Sequence, residues 1–288
     1  MLQVARLAPN LLGDSGELIA QFLSSQLCSD GGFADRDGHS DLYYTVFGLE
    51  SLLALRLALP IASVMGYLET FGAGEDLDFV HLNCLARCWA TASQGDFRRF
   101  PNEAILRRIE TFRSGDGGYA QTPGADAGSV YASFLALGAY EDFHVPAPEP
   151  ARLVQSLQSL RALDGAYSNG QGAAQGITTA TAAAVLALRR LGETPCGSLA
   201  DWLFARVHPQ GGFFALPGAP IPDLLSTATA LHALSALQAP LESIREPCLD
   251  FIDSLWTNRG GFFGNWADDT IDCEYTYYAL LGLGHLAL

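Results

Sequence analysis

A Gly-Gly-aromatic signature that recurs along the whole chain is the feature that most limits its fold. The copies are Gly31-Gly32-Phe33, Gly117-Gly118-Tyr119, Gly211-Gly212-Phe213 and Gly260-Gly261-Phe262, with Gly165-Ala166-Tyr167 as a variant. Successive copies begin 86, 48, 46 and 49 residues apart. The first interval therefore contains one degenerate copy, which we place at Phe71-Gly72-Ala73-Gly74. Repeats of this length are supersecondary units that stack on their neighbours.

Each repeat predicts a pair of helices. An amphipathic segment such as Asn102–Arg113 precedes each signature, and a more apolar segment such as Thr178–Leu191 follows it. A helix that is apolar on nearly all sides is buried, so we expect the second helix of each pair to lie inside the first. Six such pairs predict an all-α protein, an (α/α)6 toroid of six helical hairpin repeats, with residues 1–288 as one domain. Closure into a ring leaves no exposed repeat ends.

Aspartates stand near the expected starts of the inner helices. They are Asp41, Asp78, Asp126, Asp223 and Asp272. A carboxylate at this place accepts hydrogen bonds from free backbone N–H groups and interacts favourably with the helix dipole. We therefore expect these residues to cap the inner helices.

Charge and composition exclude several classes of function. The formal net charge is −15, which argues against a nucleic-acid partner, because such proteins need a basic surface. The chain has no lysine, so Schiff-base chemistry and a Walker-type phosphate site are excluded. The six cysteines are dispersed, and no apolar run reaches the length of a membrane span. We expect a soluble cytoplasmic protein.

Two stretches of the chain resemble the β subunits of protein prenyltransferases, which are α/α toroids related more distantly to squalene cyclases. Gly31–Leu52 reads GGFADRDGHSDLYYTVFGLESL and is similar to a repeat of the Rab-type geranylgeranyltransferase β subunit. Asp272–Leu283 reads DCEYTYYALLGL and is similar to the zinc-binding D-x-C helix of that family. These stretches lie in the first and last repeats, so ring closure places them side by side.

The resemblance implies a catalytic zinc site, whose ligands correspond by position to Asp272, Glu274 and Tyr44. Only the aspartate keeps the family's residue type, and Cys273 and His39 are nearby alternatives as ligands. Zinc is usually held by at least three nitrogen, sulfur or oxygen ligands. The resemblance therefore makes Asp272, Glu274 and Tyr44 the candidate catalytic residues, and we expect Asp272→Ala to abolish turnover without unfolding the protein.

The family's diphosphate pocket is matched less well. Leu225 and Gly128 stand where the resemblance implies a histidine and an arginine, and only Tyr275 matches. The run Asp268-Asp269-Thr270-Ile271-Asp272 spells D-D-x-x-D, a pattern that binds Mg²⁺ in class I isoprenoid enzymes of a different fold. Mg²⁺ prefers oxygen ligands, so Asp268, Asp269, Asp272 and Glu274 are candidate metal ligands. A capped helix after a solvated acidic loop explains the same pattern.

Aromatic residues on the apolar helices are expected to surround a central cavity. The candidate substrate-binding residues are Tyr275, Tyr278, Phe47 and Tyr131. Aromatic faces suit an isoprenoid tail or a carbocation. Packing between helices is the alternative explanation for each of them.

Two further clusters each allow two interpretations. His81, Cys84 and Cys88 share one helix face, which suits either a metal site or core packing. The main concentration of basic residues is Arg98, Arg99, Arg107, Arg108 and Arg113. Glu103 and Glu110 lie at helical pairing distances from these arginines, which favours an outer helix with salt bridges over an anion site.

Three functions remain open at this stage. The first is a prenyltransferase-like protein that binds an isoprenoid or other apolar small molecule, with zinc or magnesium as the cofactor if one is used. The family's β subunits work with a helical α subunit, so the resemblance also implies a helical protein partner. The second is a non-catalytic toroid that binds a lipid or docks a partner. The third is a terpene cyclase, although the strict D-x-D-D motif of those enzymes is absent.

Overall fold

The computed structural model describes residues 1–93 and 100–288, which form fourteen α-helices and one pair of short strands. The helices are α1 (Leu2–Ala5), α2 (Pro9–Leu12), α3 (Ser15–Ser25), α4 (Leu42–Ala54), α5 (Ile61–Glu69), α6 (Phe79–Ser93), α7 (Asn102–Glu110), α8 (Val130–Asp142), α9 (Pro150–Ser159), α10 (Thr178–Arg190), α11 (Ser198–Phe204), α12 (Leu224–Ala236), α13 (Arg245–Ser254) and α14 (Cys273–Leu286). Strands β1 (Phe33–Ala34) and β2 (Ser40–Asp41) pair antiparallel, with Phe33 opposite Asp41.

Six helices form a closed inner ring. Helix α4 packs against α6, and each even-numbered helix packs against the next as far as α14. Helix α14 packs in turn against α4, which closes the ring. The odd-numbered helices α3 to α13 each pack against the inner helix that follows them in the chain. The predicted toroid of six hairpin repeats is confirmed.

Hydrophobic patterning explains which helix of each pair lies inside. Helix α7 buries Ile105, Leu106 and Ile109 on one face and exposes Glu103 and Arg107 on the other. Helix α14, in contrast, buries residues on nearly all sides, including the glycines near its end. A one-sided apolar stripe favours the outer layer, whereas an all-round apolar surface requires the centre.

The first glycine of a signature holds neighbouring repeats close together. Gly31 and Gly260 have φ values of +100° and +91°, which few residues other than glycine adopt. A Cβ on Gly31 would lie 2.1 Å from the carbonyl oxygen of Ser63 on α5. A Cβ on Gly260 would lie 2.1 Å from the carbonyl oxygen of Leu18 on α3. The contact that joins adjacent repeats thus also joins the last repeat to the first.

Most inner helices begin next to the aspartates that were expected to cap them. Asp41, Asp223 and Asp272 cap α4, α12 and α14 by accepting backbone N–H bonds. Asp78 accepts the N–H of His81 at the start of α6 (2.9 Å). The expectation for Asp126 was wrong, because α8 begins later and its cap is Ser129. The carbonyl of Asp126 instead accepts the N–H of Asp116 (3.0 Å) within the preceding loop.

The inner helices are parallel, so the ring has two distinct ends. At the N-terminal end, Asp41 before α4 contacts His81 of α6, and Tyr43 of α4 contacts Glu274 of α14. Helix α1 packs against α4 and α14. Gly284, near the end of α14, approaches the carbonyl of Val4, so α1 covers the C-terminal end. None of the described helices is both long and apolar enough to cross a membrane.

Candidate functional site

The inner ring encloses a cavity of about 370 Å³. Ligand pockets usually measure roughly 300–1,000 Å³, so the space suits a small molecule. Its apolar wall includes Val46, Phe47, Val80, Phe134, Leu135, Ala139, Ala183 and Leu225. Of the predicted substrate-binding residues, Phe47, Tyr131 and Tyr278 line the cavity. Tyr275 lies instead at the N-terminal end of the ring, where its ring faces Arg36 (5.3 Å).

Aromatic rings from α4 and α14 form one side of the cavity. The ring centroids of Phe47 and Tyr43 are 4.9 Å apart, and those of Phe47 and Tyr278 are 5.4 Å apart. Tyr277 completes the group at 5.8 Å from Phe47. An aromatic wall of this kind favours apolar groups and positive charge.

A carboxyl group sits beside this aromatic wall at the N-terminal end. The hydroxyl of Tyr43, which lines the cavity, donates to Oε1 of Glu274 over 2.6 Å. Burial raises the pKa of Glu274 to about 7, and the bond from Tyr43 offsets this only in part. A carboxyl group with a pKa near neutral is of the kind that can serve as a general acid.

The tyrosine that contacts Glu274 is Tyr43 and not the predicted Tyr44. Both backbone N–H groups are bound by the capping carboxylate of Asp41. The two rings pack edge-on, with their centroids 5.6 Å apart, and of the two only Tyr43 lines the cavity. Burial raises the pKa of Tyr44 to about 12, so this phenol stays protonated.

An arginine from the first repeat joins two aspartates of the last one. Arg36 donates from Nε to Oδ2 of Asp272 (2.7 Å) and from Nη2 to Oδ2 of Asp268 (2.9 Å). Although partial burial opposes it, the bond from Arg36 lowers the pKa of Asp268. Burial raises the pKa of Asp272, which is only 2% exposed. The two stretches that resemble prenyltransferases are therefore in contact, because the ring closes between the first and last repeats.

A second charged group lies deeper, towards the C-terminal end of the cavity. Arg87 of α6 pairs with Glu50 of α4 and with Asp142 of α8, the latter at 3.0 Å. Arg190 pairs with Glu141 at 3.1 Å and lies over the ring of Phe134. Burial raises the pKa of Asp142 despite its arginine partner. Sequence reasoning missed this group, although charged residues on otherwise apolar helices were its signal.

Comparison with known proteins agrees with this architecture. The model of the prenyltransferase alpha-alpha toroid domain matches residues 10–59, 69–207 and 181–286. The chain belongs to that family. No curated protein sequence matches the chain significantly.

Solved structures share the fold of this toroid at low sequence identity. The protein geranylgeranyltransferase-I of Candida albicans, in complex with GGPP, is 12% identical with a TM-score of 0.63, over 83% of this chain and 82% of that one. A variant of the type II terpene cyclase MstE from Scytonema, in complex with geranylgeranyl dihydroxybenzoate, is 15% identical with a TM-score of 0.64. That alignment covers 98% of this chain and 97% of the cyclase. At such identities the likeness shows the fold alone.

The residues of this toroid do not fit the zinc ion that the family resemblance implies. One oxygen of Asp272 accepts from Arg36 and the other accepts from the N–H of Tyr275 (2.8 Å). Glu274 accepts from Tyr43, and Tyr44 is a protonated phenol. The guanidinium of Arg36 already supplies the positive charge beside Asp272. Among residues 1–93 and 100–288, no three acidic, histidine or cysteine side chains form a metal-binding group.

The D-D-x-x-D run does not fit Mg²⁺ either. Asp268 binds Arg36 and also accepts the N–H groups of Gly264 (3.1 Å) and Thr270 (3.2 Å). Asp269 is exposed, and its carboxylate accepts from the hydroxyl of Thr270. The run therefore forms a hydrogen-bonded loop that ends in the cap of α14.

The alternative metal ligands are also kept apart. Cys273 is fully buried, and burial raises the pKa of its thiol, whereas His39 is exposed in the strand turn. His81 was predicted to share a helix face with Cys84 and Cys88. Both nitrogens of its ring contact aspartates, Asp41 and Asp78, and not the thiols. Burial raises the pKa values of the Cys84 and Cys88 thiols, which favours core packing.

Among the described residues of the arginine cluster, Arg113 forms a salt bridge. Arg113 binds Glu110 at 2.8 Å, one turn away, as expected for a salt-bridged outer layer. Arg108 donates to the backbone carbonyl of Glu75. Arg98 and Arg99 lie outside the described residues.

Proposed function

We propose that this toroid is an isoprenoid-binding enzyme that acts on its substrate by proton transfer, as in a terpene cyclase. The observation that carries the proposal is a titratable carboxyl group, Glu274, held by Tyr43 against an aromatic cavity. Because burial raises the pKa of Glu274 to about 7, the carboxyl group still holds a proton to donate near neutral pH, and aromatic walls stabilise the carbocation that results. The cyclase neighbour, whose substrate carries a geranylgeranyl chain, supports the choice of an isoprenoid by analogy.

The reaction begins when a carbon–carbon double bond takes the proton of the Tyr43 hydroxyl, which lines the cavity, while Glu274 replaces that proton across the hydrogen bond that joins the two side chains. The π electrons form the new C–H bond and leave a tertiary carbocation. The next double bond attacks this cation, which forms a C–C bond and moves the positive charge along the chain. Loss of a proton to the Glu274 carboxylate then restores the acid. The product is an isomer of the substrate, and no metal or co-reactant is consumed.

Prenyl transfer from a diphosphate is less well supported by the described residues. A diphosphate needs cations to neutralise its charge. At the N-terminal end of the ring, Arg36 is shared by Asp268 and Asp272, so its charge is already compensated. An uncharged isoprenoid avoids this repulsion from the carboxylates.

Product analysis tests the proposed activity. Wild-type protein is incubated in EDTA with prenyl alcohols and their diphosphates, and the products are separated by mass spectrometry. We expect a cyclised isomer of an alcohol, and we expect Glu274→Gln to reduce its formation by about 10²–10⁴-fold while binding persists. Release of diphosphate, or binding without any product, would replace the proposal with a transferase or a non-catalytic toroid. Absence of binding would remove the isoprenoid assignment altogether.

We further propose a cytoplasmic location, because all six cysteines are free thiols. Reducing compartments maintain thiols in this state. The helical partner implied by the family resemblance stays a prediction, which size-exclusion chromatography of the native complex would test.

A further inference from the structure

We propose that Arg190, with Arg87 beside it, binds an uncharged oxygen atom of the ligand at the charged end of the cavity. Both arginines line the cavity, and 28% and 32% of their side-chain surfaces are exposed. The guanidinium of Arg190 lies over the ring of Phe134, which forms part of the cavity wall (5.0 Å). A ligand in the cavity can therefore contact these arginines directly.

Both guanidinium groups keep N–H groups that have no acceptor in the described part of the chain. Arg87 donates from Nε to Glu50 and from Nη1 to Asp142 (3.0 Å), which leaves Nη2 without a protein partner. Arg190 approaches Glu141 with Nε (3.1 Å), and neither of its Nη atoms forms a hydrogen bond. Because a guanidinium only donates, these N–H groups need an acceptor from a ligand or from water.

The two guanidinium groups are neighbours at one end of the cavity. Their partners Glu141 and Asp142 are adjacent residues, the last two of α8. Burial lowers the pKa of Arg190, and the positive charge of Arg87 lowers it further. A ligand oxygen at this end can therefore accept from either arginine.

Charge balance selects an uncharged oxygen. Three carboxylates and three cations lie together at this end: Glu50, Glu141, Asp142, Arg87, Arg190 and the α-amino group of Met1. No excess positive charge is left to attract a carboxylate or a phosphate. A carbonyl or hydroxyl oxygen accepts from a guanidinium without adding charge, whereas a hydrocarbon leaves the N–H groups unpaired.

The oxygen site and the proposed acid lie at opposite ends of the cavity. Tyr43 and Glu274 are the second residues of their helices, whereas Arg87 is the ninth residue of α6 and Arg190 the thirteenth of α10. At 1.5 Å per residue, the backbone positions differ by about 10 to 17 Å along the ring axis. The inference rests on the proposed function and specifies it: the isoprenoid carries an uncharged oxygen at the end remote from Tyr43.

Three ligands of the same chain length test this inference: the aldehyde farnesal, the hydrocarbon farnesene and the anion of farnesoic acid. Their affinities for the wild-type protein are measured by displacement of a fluorescent apolar probe. We expect farnesal to bind about tenfold more tightly than farnesene, because its oxygen accepts from a charged donor. We also expect it to bind more tightly than farnesoate, which adds a negative charge beside three carboxylates.

Arg190→Met should remove most of the preference for farnesal over farnesene. The substitution leaves no buried charge unpaired, since the side chain of Glu141 is 59% exposed. Arg189→Met is the matched control and should keep the preference. It changes the preceding arginine of the same helix, which donates to the carbonyl of Ala236 and does not line the cavity.

Glu141→Gln tests the charge argument separately. It removes one of the three negative charges with little change in size, so farnesoate should gain affinity relative to farnesal. An unchanged ratio of the two affinities would contradict the role given to charge balance.

The outcomes separate the two proposals. Equal binding of farnesal and farnesene by wild-type protein, or a preference that survives in Arg190→Met, would overturn the oxygen site alone. Tighter binding of farnesoate than of farnesal by wild-type protein would show an anion site in its place. Failure of all three ligands to bind would overturn the proposed function as well.

Discussion

Glu274 is the side chain whose protonation the proposed chemistry needs, so the pH dependence should follow it. Burial raises its pKa to about 7, and we expect turnover to fall as pH rises through that value, because the donated proton is lost. The folded state also binds this proton more tightly than the unfolded state between about pH 4.5 and 7. The titration of Glu274 therefore lowers the free energy of unfolding as pH rises through this range.

A pH–rate profile with parallel melting curves checks this prediction. The matched variant is Glu274→Gln, in which the amide oxygen still accepts from Tyr43. Because the glutamine does not titrate, the melting temperature of this variant should fall less than that of wild type between pH 4.5 and 7. A wild-type activity that is constant between pH 6 and 8.5 would show that Glu274 is not the proton donor.

Asp272 has a structural role that complicates the simplest mutation of the site. It caps α14 and holds Arg36, so Asp272→Ala removes a cap worth about 0.5–2 kcal/mol as well as an ion pair. We expect Asp272→Asn to keep the cap and to lower the free energy of unfolding by about 1–2 kcal/mol through the bond to Arg36. Urea denaturation measures this difference.

Asp223 provides the matched control for Asp272. It caps α12 in the same way, accepting the N–H of Ser226 at 2.7 Å, and its side chain forms no salt bridge in the described structure. Asp223→Asn should therefore change stability by much less. Equal losses in the two variants would mean that Arg36 contributes nothing to the closure of the ring.

Single residues were the hardest part of the site to predict from sequence. Asp272 and Glu274 were found because they lie within a recognisable motif. Tyr44 was assigned because it stands where the resemblance implies a zinc-binding histidine, whereas Tyr43 is the tyrosine that binds Glu274 and lines the cavity. Position in a motif does not show how adjacent side chains at a helix start are oriented. Arg36 was not assigned a role, because its partner Asp272 lies 236 residues away and meets it only when the ring closes.

At the scale of elements, His81 connects the starts of two inner helices. Its Nε2 binds Asp41 before α4 (3.1 Å), and its Nδ1 binds Asp78 before α6 (2.8 Å). The bond to Asp41, together with that to Asp78, raises the pKa of His81 to about 9 despite burial. Since the unfolded value is about 6.5, the stabilisation is complete below that pH and is lost as pH rises through 9.

We therefore expect the melting temperature to fall by a few degrees between pH 7 and 10. The effect is small because the His81 side chain is 34% exposed, and pairs of this kind contribute roughly 1 kcal/mol or less. His81→Gln should start lower and lose less over the same range. A wild-type protein that loses no more stability than this variant would contradict the role given to His81.

Helices were predicted better than their starts and contacts. Apolar periodicity distinguished α14 from α7 correctly, because burial on all sides leaves a clear signal in the sequence. The cap of α8 was misplaced since Asp126 and Ser129 are both good capping residues and only the loop geometry selects between them. The polar group around Arg87 was missed, because its members come from three helices that are distant in the chain.

At the scale of the whole molecule, ring closure creates both the cavity and the site. Helices α4 and α14 supply Tyr43 and Glu274, and they are the first and last members of the inner ring. The sequence repeat predicted this closure, since six helical hairpins can form a closed ring. An open array would leave Arg36 and Asp272 far apart and would expose the aromatic wall.

The glycine that joins the last repeat to the first gives a direct test of closure. Gly260 and Gly165 occupy the same place in their repeats and have similar φ values of +91° and +87°. Alanine costs about 1–2 kcal/mol at either residue through the left-handed backbone alone. A Cβ on Gly260 also meets the carbonyl of Leu18 at 2.1 Å, whereas one on Gly165 meets only the end of Arg161 at 3.7 Å.

We therefore expect Gly260→Ala to lower the free energy of unfolding clearly more than Gly165→Ala does, as measured by urea denaturation. It should also weaken isoprenoid binding, because separation of α3 from the last repeat disturbs the neighbouring pair of α4 and α14. Gly165→Ala should leave binding near the wild-type level. Equal effects of the two substitutions on stability and binding would show that the two ends of the chain are not held together as tightly as this packing requires.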